Sequence, residues 1–229
     1  MIGKAPEPGR AKTRLTPPLT PDQAAALYSA FLVDTVDTAR SLRWDRVTVI
    51  YPPSKGARSI LKNLLPGDVH LMPQPGSGLG EALTGAFVNH AAAGFERVVL
   101  IGSDNPTLPA SLVAAAGEAL DTHDIVIGPA TDGGYYLIGM DRPHRAVFER
   151  ITWSTSLVYG ETLQRAREAG LSVASCDAWD DIDTFDDLVR VRTELGRLDR
   201  TVAPRTRAEL AKYLVIEANP ALRVSRSAP

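Results

Sequence analysis

The chain has few of the features that mark secreted, membrane or nucleic-acid-binding proteins. It has one cysteine, Cys176, so an internal disulfide is excluded and a reducing compartment is expected. No stretch approaches the ~20 apolar residues of a membrane span, and the opening MIGKAPEPGR lacks the apolar run of a signal peptide. The formal net charge of −2 differs from the basic excess of a general nucleic-acid binder. We therefore expect a cytoplasmic protein with no membrane and no nucleic-acid partner.

Histidine and cysteine show no recognisable motif. The histidines are scattered without metal-ligand spacing, and Cys176 has no motif partner of the kind that activates a thiol. The four histidines are His70, His90, His123 and His144. We interpret them as surface residues, and we assign no nucleophilic role to Cys176.

The composition is otherwise ordinary for a globular protein. Of 229 residues, 44% are hydrophobic and 23% are charged, enough to bury a sizeable core. Beyond about residue 203 the chain changes character, with room for one short helix before a polar tail. We expect a single domain over 1–200 and a C-terminal extension over 201–229 that is partly disordered.

Short runs rich in valine and isoleucine alternate with helical patterns. The runs predict buried strands, and the clearest helix begins at Thr20, where Thr20, Pro21 and Gln23 form a capping-box pattern. The predicted strands are 46–51, 69–73, 97–103 and 124–130, and the further helices are 55–65, 79–93, 109–120, 155–169 and 185–195. This alternation predicts a three-layer α/β/α fold with a mostly parallel central sheet. The opening MIGK is only a stub of the strand expected before the first loop.

A proline-rich segment near the start, APEPGRAKTRLTPPL, contains three cations with no acid between them. Arg10, Lys12 and Arg14 stand at every second position, so in an extended segment their side chains would point the same way. Gly9 permits close approach of a ligand to the backbone, and Lys4 is a weaker fourth candidate. Convergent cations after a strand suit a polyphosphate. The alternative is a solvated surface loop.

A carboxylate follows the strand predicted at 97–103. Asp104 stands in the stretch LIGSDNPTLP at the carboxyl end of that strand, where ligands bind in open α/β sheets. The alternative is that Asp104 only caps the turn or the helix that follows.

Six aspartates fall between residues 177 and 187. Asp186 and Asp187 have an ordinary explanation, because Thr184 is a predicted N-cap and acids are favoured in a first helical turn. Asp180, Asp181 and Asp183 are among the aspartates without that explanation. Two carboxylates ~5 Å apart repel by roughly 3 kcal/mol at an effective dielectric constant near 20, and Mg²⁺ or Mn²⁺ would remove that cost. The alternative is a solvated acidic loop.

The stretch GPATDGGYYLIGM places a polar turn between two apolar runs. Asp132, Gly133 and Gly134 predict a hairpin turn. Asp132 and the tyrosines beside this exposed backbone also suit a sugar or another polyol. Trp153, in ITWSTS, could stack on a base or a sugar, or belong to the core.

Five motifs, in one order, resemble a known family. They are KAPEPGRAKTRLTPPLTPDQAAALYSAFLVDT, VVLIGSDNPTLP, GPATDGGYYLIGM, WSTS and DIDTFDDL. Over roughly residues 3–195 the chain resembles a glycosyltransferase-A-fold family of nucleotide-diphospho-sugar transferases, some of them tied to arsenosugar biosynthesis. It is also similar to the 2-phospho-lactate guanylyltransferases and, more distantly, to molybdenum-cofactor guanylyltransferases and sugar-phosphate cytidylyltransferases.

The resemblance implies roles for individual residues. Phosphates of the nucleotide would bind Lys4, Gly9, Arg10, Lys12 and Arg14, and Gly78, Gly80 and Glu81 match the stretch near its base and ribose. A divalent metal, Mg²⁺ or Mn²⁺, would bind Asp104 and Asp183. The acceptor side matches Asp132, Gly133, Gly134 and Tyr135, to which Trp153 is added. Lys12, Arg14 and Asp132 are the candidate catalytic residues.

Three functions remain open from the sequence. The first is a metal-dependent glycosyltransferase that uses a nucleotide-diphospho-sugar, and the alternative is a nucleotidyltransferase that joins a nucleoside monophosphate to a small phosphorylated acceptor. The third is a nucleotide-binding protein without catalysis. In the two enzyme hypotheses positioning and charge stabilisation supply the catalysis.

Overall fold

A computed structural model of the chain describes residues 1–217, and its regular elements alternate as the sequence predicts. The strands are β1 (Thr48–Tyr51), β2 (His70–Pro73), β3 (Val98–Ile101), β4 (Ile125–Pro129), β5 (Tyr135–Met140) and β6 (Val173–Ser175). The α-helices are α1 (Pro21–Ser41), α2 (Ala57–Leu64), α3 (Leu79–Ala92), α4 (Ala110–Ala119), α5 (Val158–Glu168), α6 (Phe185–Leu195) and α7 (Pro204–Glu217). Thr13–Leu15 and Arg145–Phe148 form 3-10 helices.

The strands form two ladders that the first residues of the chain join. One ladder has the order β1-β2 and the other β3-β5-β4-β6, and only the pairs that include β5 are antiparallel. Ile2 makes parallel bridges to both Ile50 and Gly102, and its N–H donates to the Ile101 carbonyl at 2.9 Å. The stub MIGK therefore acts as a very short central strand, and the strands parallel to it end at one common edge.

Alternate residues of the strands pack under helices on opposite faces of the sheet. Val49 and Tyr51 contribute to the core beneath α1, α2 and α4, whereas Ile50 faces the core beneath α3 and α5. This is the predicted three-layer α/β/α architecture, because a parallel sheet needs both faces covered. No helix among residues 1–217 combines the length and the apolar character needed to cross a membrane.

The hydrogen bonds at the helix N-termini match the predicted caps. The Thr20 side chain accepts from the Gln23 N–H at 3.2 Å while Gln23 accepts from the Thr20 N–H at 2.8 Å, which is the predicted capping box. Thr184 and Asp187 form the same arrangement at the start of α6. The predicted turn at Asp132–Gly134 joins β4 and β5 as an antiparallel hairpin.

The last described helix packs on the first. The buried carboxylate of Asp34 in α1 accepts from the Thr206 N–H at 2.7 Å and the Arg205 N–H at 3.2 Å. Leu210 joins a third core cluster between α1, α6 and α7. The domain division at residue 200 stays a prediction, and the predicted polar tail beyond residue 217 lies outside the described residues.

Candidate active site

A cavity of about 590 Å³ opens at the edge where the parallel strands end. Its size is in the range of small-molecule sites, and its position is the one that open α/β sheets use for ligands. Among its lining residues are Lys4, Arg10, Lys12, Arg14, Asp104, Tyr135 and Asp183. The fold thus brings the basic segment together with Asp104 and Asp183. Lys12 is separated from these two aspartates by 92 and 171 residues along the chain.

Lys12 lies at the centre of this site. Its Nζ donates to Asp104 Oδ2 at 2.6 Å and to Asp183 Oδ1 at 2.7 Å, and its side chain is only 7% exposed. Burial alone would lower the pKa of Lys12, but the two carboxylates outweigh burial and raise it above its ordinary value. Lys12 therefore holds its charge at neutral pH.

The three cations of the basic segment do not form the row that alternation predicts. The backbone turns at Gly9 (φ 72°) and again at Lys12 (φ 48°), and then enters the 3-10 helix Thr13–Leu15. Arg10 is 69% exposed and pairs with Glu7 at 3.0 Å, while Arg14 is 75% exposed with Nη1 3.5 Å from Asp183 Oδ2. The expectation of an extended segment is wrong, because the left-handed conformations place one cation inside the site and two at its rim.

Three carboxylates face one another beside Lys12. Oxygens of Asp104, Asp181 and Asp183 lie within 4.8 Å of one another. The Ile182 N–H donates to the Asp104 carbonyl at 3.2 Å, which holds the acidic segment against the end of β3. Burial, followed by the charges of Asp104 and Asp183, raises the pKa of Asp181 to about 7.

The donor set fits a divalent cation. Three carboxylates face one buried ammonium group, so the cluster has a deficit of positive charge. Hard oxygen ligands of this kind suit Mg²⁺ or Mn²⁺. Asp104 and Asp183 were predicted as ligands; Asp181 was noted without being assigned. The alternation could have identified it, because Asp181 and Asp183 flank the buried Ile182 and therefore point to the same side.

The end of β3 is shaped to hold Asp104 in place. A Cβ at Gly102 would lie 2.8 Å from Asp104 Oδ1, so only glycine leaves room for that carboxylate. The hydroxyls of Tyr28 and Ser103 lie 2.7 Å apart, and the Lys4 N–H donates to Tyr28 Oη at 2.8 Å. Burial and the charge of Asp104 are the leading causes that raise the pKa of Tyr28 to about 12. Tyr28 was not predicted as a site residue, although it lies in the first of the five motifs, in the first half of α1.

The stretch predicted near the base and ribose makes local structural contacts. The Glu81 carboxylate accepts from the N–H groups of Ser77 (2.7 Å) and Gly78 (3.3 Å), and so caps α3. These bonds lower the pKa of Glu81. A Cβ at Gly80 would lie 2.8 Å from Trp153 Nε1, so the indole ring packs on the helix. The binding roles of Gly78, Gly80, Glu81 and Trp153 stay predictions.

The hairpin loop after β4 is tied to the acidic segment. Thr131 donates through N–H (3.2 Å) and Oγ1 (2.5 Å) to Asp180 Oδ1, so Asp180 has a structural role. Asp132 is exposed and accepts from the Gly134 N–H at 2.8 Å, and its charge contributes to the raised pKa of Asp181. A Cβ at Gly133 would lie 2.2 Å from the Ser156 carbonyl oxygen. Tyr135 lines the cavity, but its hydroxyl is buried.

Comparison with known proteins agrees with this fold. Residues 35–155, more than half of the chain, match a family described as "Uncharacterized protein conserved in bacteria (DUF2064)". The chain belongs to the DUF2064 family. This DUF2064 protein is 31% identical over 212 residues to the 2-phospho-L-lactate guanylyltransferase of Methanothermobacter thermautotrophicus. The alignment covers 85% of this chain and 88% of the relative.

Solved structures place the DUF2064 chain in a transferase fold. A protein of Desulfovibrio desulfuricans G20, provisionally named a nucleotide-diphospho-sugar transferase, is 36% identical with a TM-score of 0.85, over 94% of each chain. The 4-diphosphocytidyl-2C-methyl-D-erythritol synthase of Anaerococcus prevotii is 12% identical with a TM-score of 0.56, over 75% of this chain and 86% of that one. The latter similarity concerns the fold alone. The predicted fold class is confirmed, and the prediction of a transferase enzyme agrees with these relatives.

Proposed function

We propose that this DUF2064 protein is a metal-dependent nucleotidyltransferase that joins a nucleoside monophosphate to a small phosphorylated acceptor. The observation that carries the proposal is the meeting of Lys12 with Asp104 and Asp183 at the sheet edge, in a cavity large enough for a nucleotide. An ammonium group suits the phosphates of a triphosphate, and the carboxylates suit a divalent ion. A purely structural ion pair would not need an adjoining cavity.

The reaction asks for positioning and charge stabilisation. An oxygen of the acceptor phosphate forms a bond to the α-phosphorus, and the bond to the bridging oxygen breaks with its electron pair on the departing pyrophosphate. The acceptor phosphate is already largely ionised at neutral pH, since its second pKa is about 6, so attack needs no strong general base. Asp132, one of the candidate catalytic residues, is therefore better assigned to the acceptor side alone.

Each part of the site has a task in this reaction. Asp104, Asp181 and Asp183 would hold Mg²⁺ or Mn²⁺, which when bound neutralises charge on the phosphates. Lys12 would bind the phosphates from inside the cavity, with Arg10 and Arg14 at the rim. Once the metal ion and the nucleotide are bound, these groups would surround the phosphates, so they would stabilise the developing negative charge without further reorganisation.

Transfer of a sugar from a nucleotide-diphospho-sugar is the second candidate. The relative with 36% identity has that name, and the same cations and carboxylates would stabilise a departing nucleoside diphosphate. We favour nucleotidyl transfer because the curated relative with 31% identity is a guanylyltransferase. A cavity lined by three cations, one inside and two at its rim, also suits a triphosphate better than a diphosphate.

The two reactions release different products. Purified protein is incubated with Mg²⁺ or Mn²⁺ and a panel of phosphorylated hydroxy acids and sugar phosphates, with either a nucleoside triphosphate or a nucleotide-sugar as the donor. Pyrophosphate release that depends on both the metal and the acceptor is expected. Nucleoside diphosphate release from nucleotide-sugars would favour the second candidate, and nucleotide binding with no product would favour the non-catalytic alternative.

A matched pair of variants links any activity to the site. Asp104→Asn removes a charge from the proposed metal site, whereas Asp141→Asn removes one from the opposite edge of the sheet. Product formation is expected to be lost in the first variant and kept in the second. Equal activity in the two variants would contradict the proposed site.

A further inference from the structure

Lys12 occupies the position that a bridging metal ion would need. Its Nζ lies 2.6 Å from Asp104 Oδ2 and 2.7 Å from Asp183 Oδ1, so it is about equally far from two proposed ligands. A Mg²⁺ ion bound by both carboxylates would lie about 2.1 Å from each oxygen. The ammonium group and the metal ion cannot both stand between the same oxygens, because the space is too small and both groups are positive.

We propose that Lys12 is an internal counter-cation that must leave Asp104 and Asp183 before a metal ion can bridge them, and that the nucleotide phosphates accept it when it leaves. The inference rests on the proposed function for the identity of the second ligand. Its consequence is that metal ion and nucleotide bind cooperatively. Metal alone would have to displace Lys12 into the cavity without a new anionic partner.

The surroundings of Lys12 suit such an exchange. Lysine has a compact charge on a flexible four-carbon stem, so its ammonium group can move by several ångströms without backbone movement. Lys12 lines the cavity together with Arg10 and Arg14, so a phosphate bound between these cations lies within its reach. The left-handed backbone at Lys12 (φ 48°) fixes the root of the side chain over the carboxylates.

Charge accounting favours exchange over a permanent ion pair. Lys12 leaves the three carboxylates with a net negative charge, and Asp181 accepts no hydrogen bond from Lys12. A divalent ion in place of the ammonium would compensate the cluster more fully, and Lys12 would then neutralise phosphate charge. In a permanent pair Lys12 would instead be required for the carboxylates to stay in place, and its removal would weaken metal binding.

The two possibilities predict opposite effects of Lys12→Met on metal binding. Mn²⁺ is titrated by calorimetry into the wild-type protein and the variant without nucleotide. We expect the variant to bind Mn²⁺ tighter by about tenfold or more, because a positive charge beside the metal site is gone. Arg10→Met removes an exposed cation of the same segment that pairs with Glu7 instead of the carboxylate cluster, so its Mn²⁺ affinity should change by less than about threefold.

Thermal melting tests the cooperativity. Each protein is melted with EDTA, with Mn²⁺, with a nucleoside triphosphate in EDTA, and with both ligands. For the wild type, the shift with both ligands should exceed the sum of the separate shifts. In Lys12→Met the shift with Mn²⁺ alone should be larger than in the wild type. The shift with both ligands should then equal the sum of the two separate shifts.

The outcomes separate this inference from the proposed function. If no triphosphate stabilises the wild type, the proposed function fails, yet the Mn²⁺ titration still tests Lys12. If Lys12→Met binds Mn²⁺ as tightly as the wild type or more weakly, Lys12 is not a counter-cation that the metal ion displaces. If the variant is recovered only in the presence of Mn²⁺, that supports exchange. If the variant is recovered neither with nor without Mn²⁺, the thermal melts of the wild type test the inference. Melting-temperature shifts with Mn²⁺ and with the triphosphate that simply add would overturn it.

Discussion

Two clusters of potential metal ligands stand at opposite edges of the same sheet. Asp104, Asp181 and Asp183 follow the carboxyl ends of β3 and β6, whereas Asp124, Asp141 and His144 lie where β4 begins and β5 ends. Each cluster brings three ligand oxygens or nitrogens within 4.8 Å of one another. The number and the spacing of the ligand atoms therefore do not distinguish them.

The contacts around the second cluster do distinguish it. Asp124 Oδ2 accepts from both N–H (2.8 Å) and Oγ (2.6 Å) of Ser172, and His144 Nε2 lies 2.7 Å from Asp141 Oδ1. Arg142 lies 3.6 Å from both carboxylates. Because neighbours in the sheet already compensate these carboxylates, the cluster ties the strands together and has no need of a metal ion.

The first cluster is compensated less completely, because its buried ammonium group pairs with two of the three carboxylates and not with Asp181. Its main cation comes from the start of the chain, Asp181 has its pKa raised to about 7, and a cavity adjoins it. Ligand count alone is thus a poor criterion for a site. A carboxylate without a cationic partner beside a cavity is a better criterion for a functional site.

The largest expected effect comes from exchanging one carboxylate in each cluster. Asp104→Asn should lower the rate of product formation by at least about 100-fold, because it removes a proposed metal ligand and a partner of Lys12. Asp141→Asn should change the rate by less than about twofold. Rates at saturating substrate and circular dichroism of both folded variants check this. A similar rate for the two variants would mean that the contrast between the edges has no functional meaning.

The next effect concerns the pH dependence of stability in the metal-free protein. The pKa of Asp181 is raised from 3.8 to about 7, so between those pH values the folded state binds more protons than the unfolded state. The free energy of unfolding should therefore fall as pH rises through this range. Asp181→Asn removes this dependence and should stabilise the protein by about 1–3 kcal/mol at pH 8, with little effect near pH 4.

Urea denaturation in EDTA at a series of pH values measures this effect. Asp124→Asn, in the compensated cluster, is the control and should not gain stability at pH 8. If Asp181→Asn were less stable than the wild type at pH 8, the carboxylate would be compensated after all.

A smaller effect is expected from Asp124→Ala. The change leaves the N–H and Oγ of Ser172 without their acceptor and should cost about 1–2 kcal/mol. Product formation and Mn²⁺ affinity should stay at wild-type levels. Denaturation with and without Mn²⁺ measures both, and a metal-dependent loss of stability would indicate that this cluster also binds an ion.

The smallest effect is expected at the rim. Arg10→Ala removes an exposed cation paired with Glu7 and should change stability by less than about 0.5 kcal/mol. If Arg10 contacts phosphates, KM for the nucleotide should rise a few-fold with kcat nearly unchanged. Steady-state kinetics test this, and an unchanged KM would restrict phosphate binding to residues farther inside the cavity.

The sequence predicted those parts of the molecule that depend on neighbours along the chain. The helix caps at Thr20 and Thr184, the alternation of strands and helices, and the position of Asp104 after β3 follow from residue type and spacing. The left-handed conformation of Lys12 did not follow, because the preference of a lysine for extended or helical backbone gives no hint of it.

What the sequence determined by itself is local: the elements, their caps and the candidate residues for binding phosphates or a metal ion. Only the tertiary structure decided which of these residues meet. Lys12, Asp104 and Asp183 come from distant segments, and their contact depends on Ile2 joining β1 to β3. Compensation of charge is likewise a property of the folded chain, because burial and the distances between carboxylates exist only there.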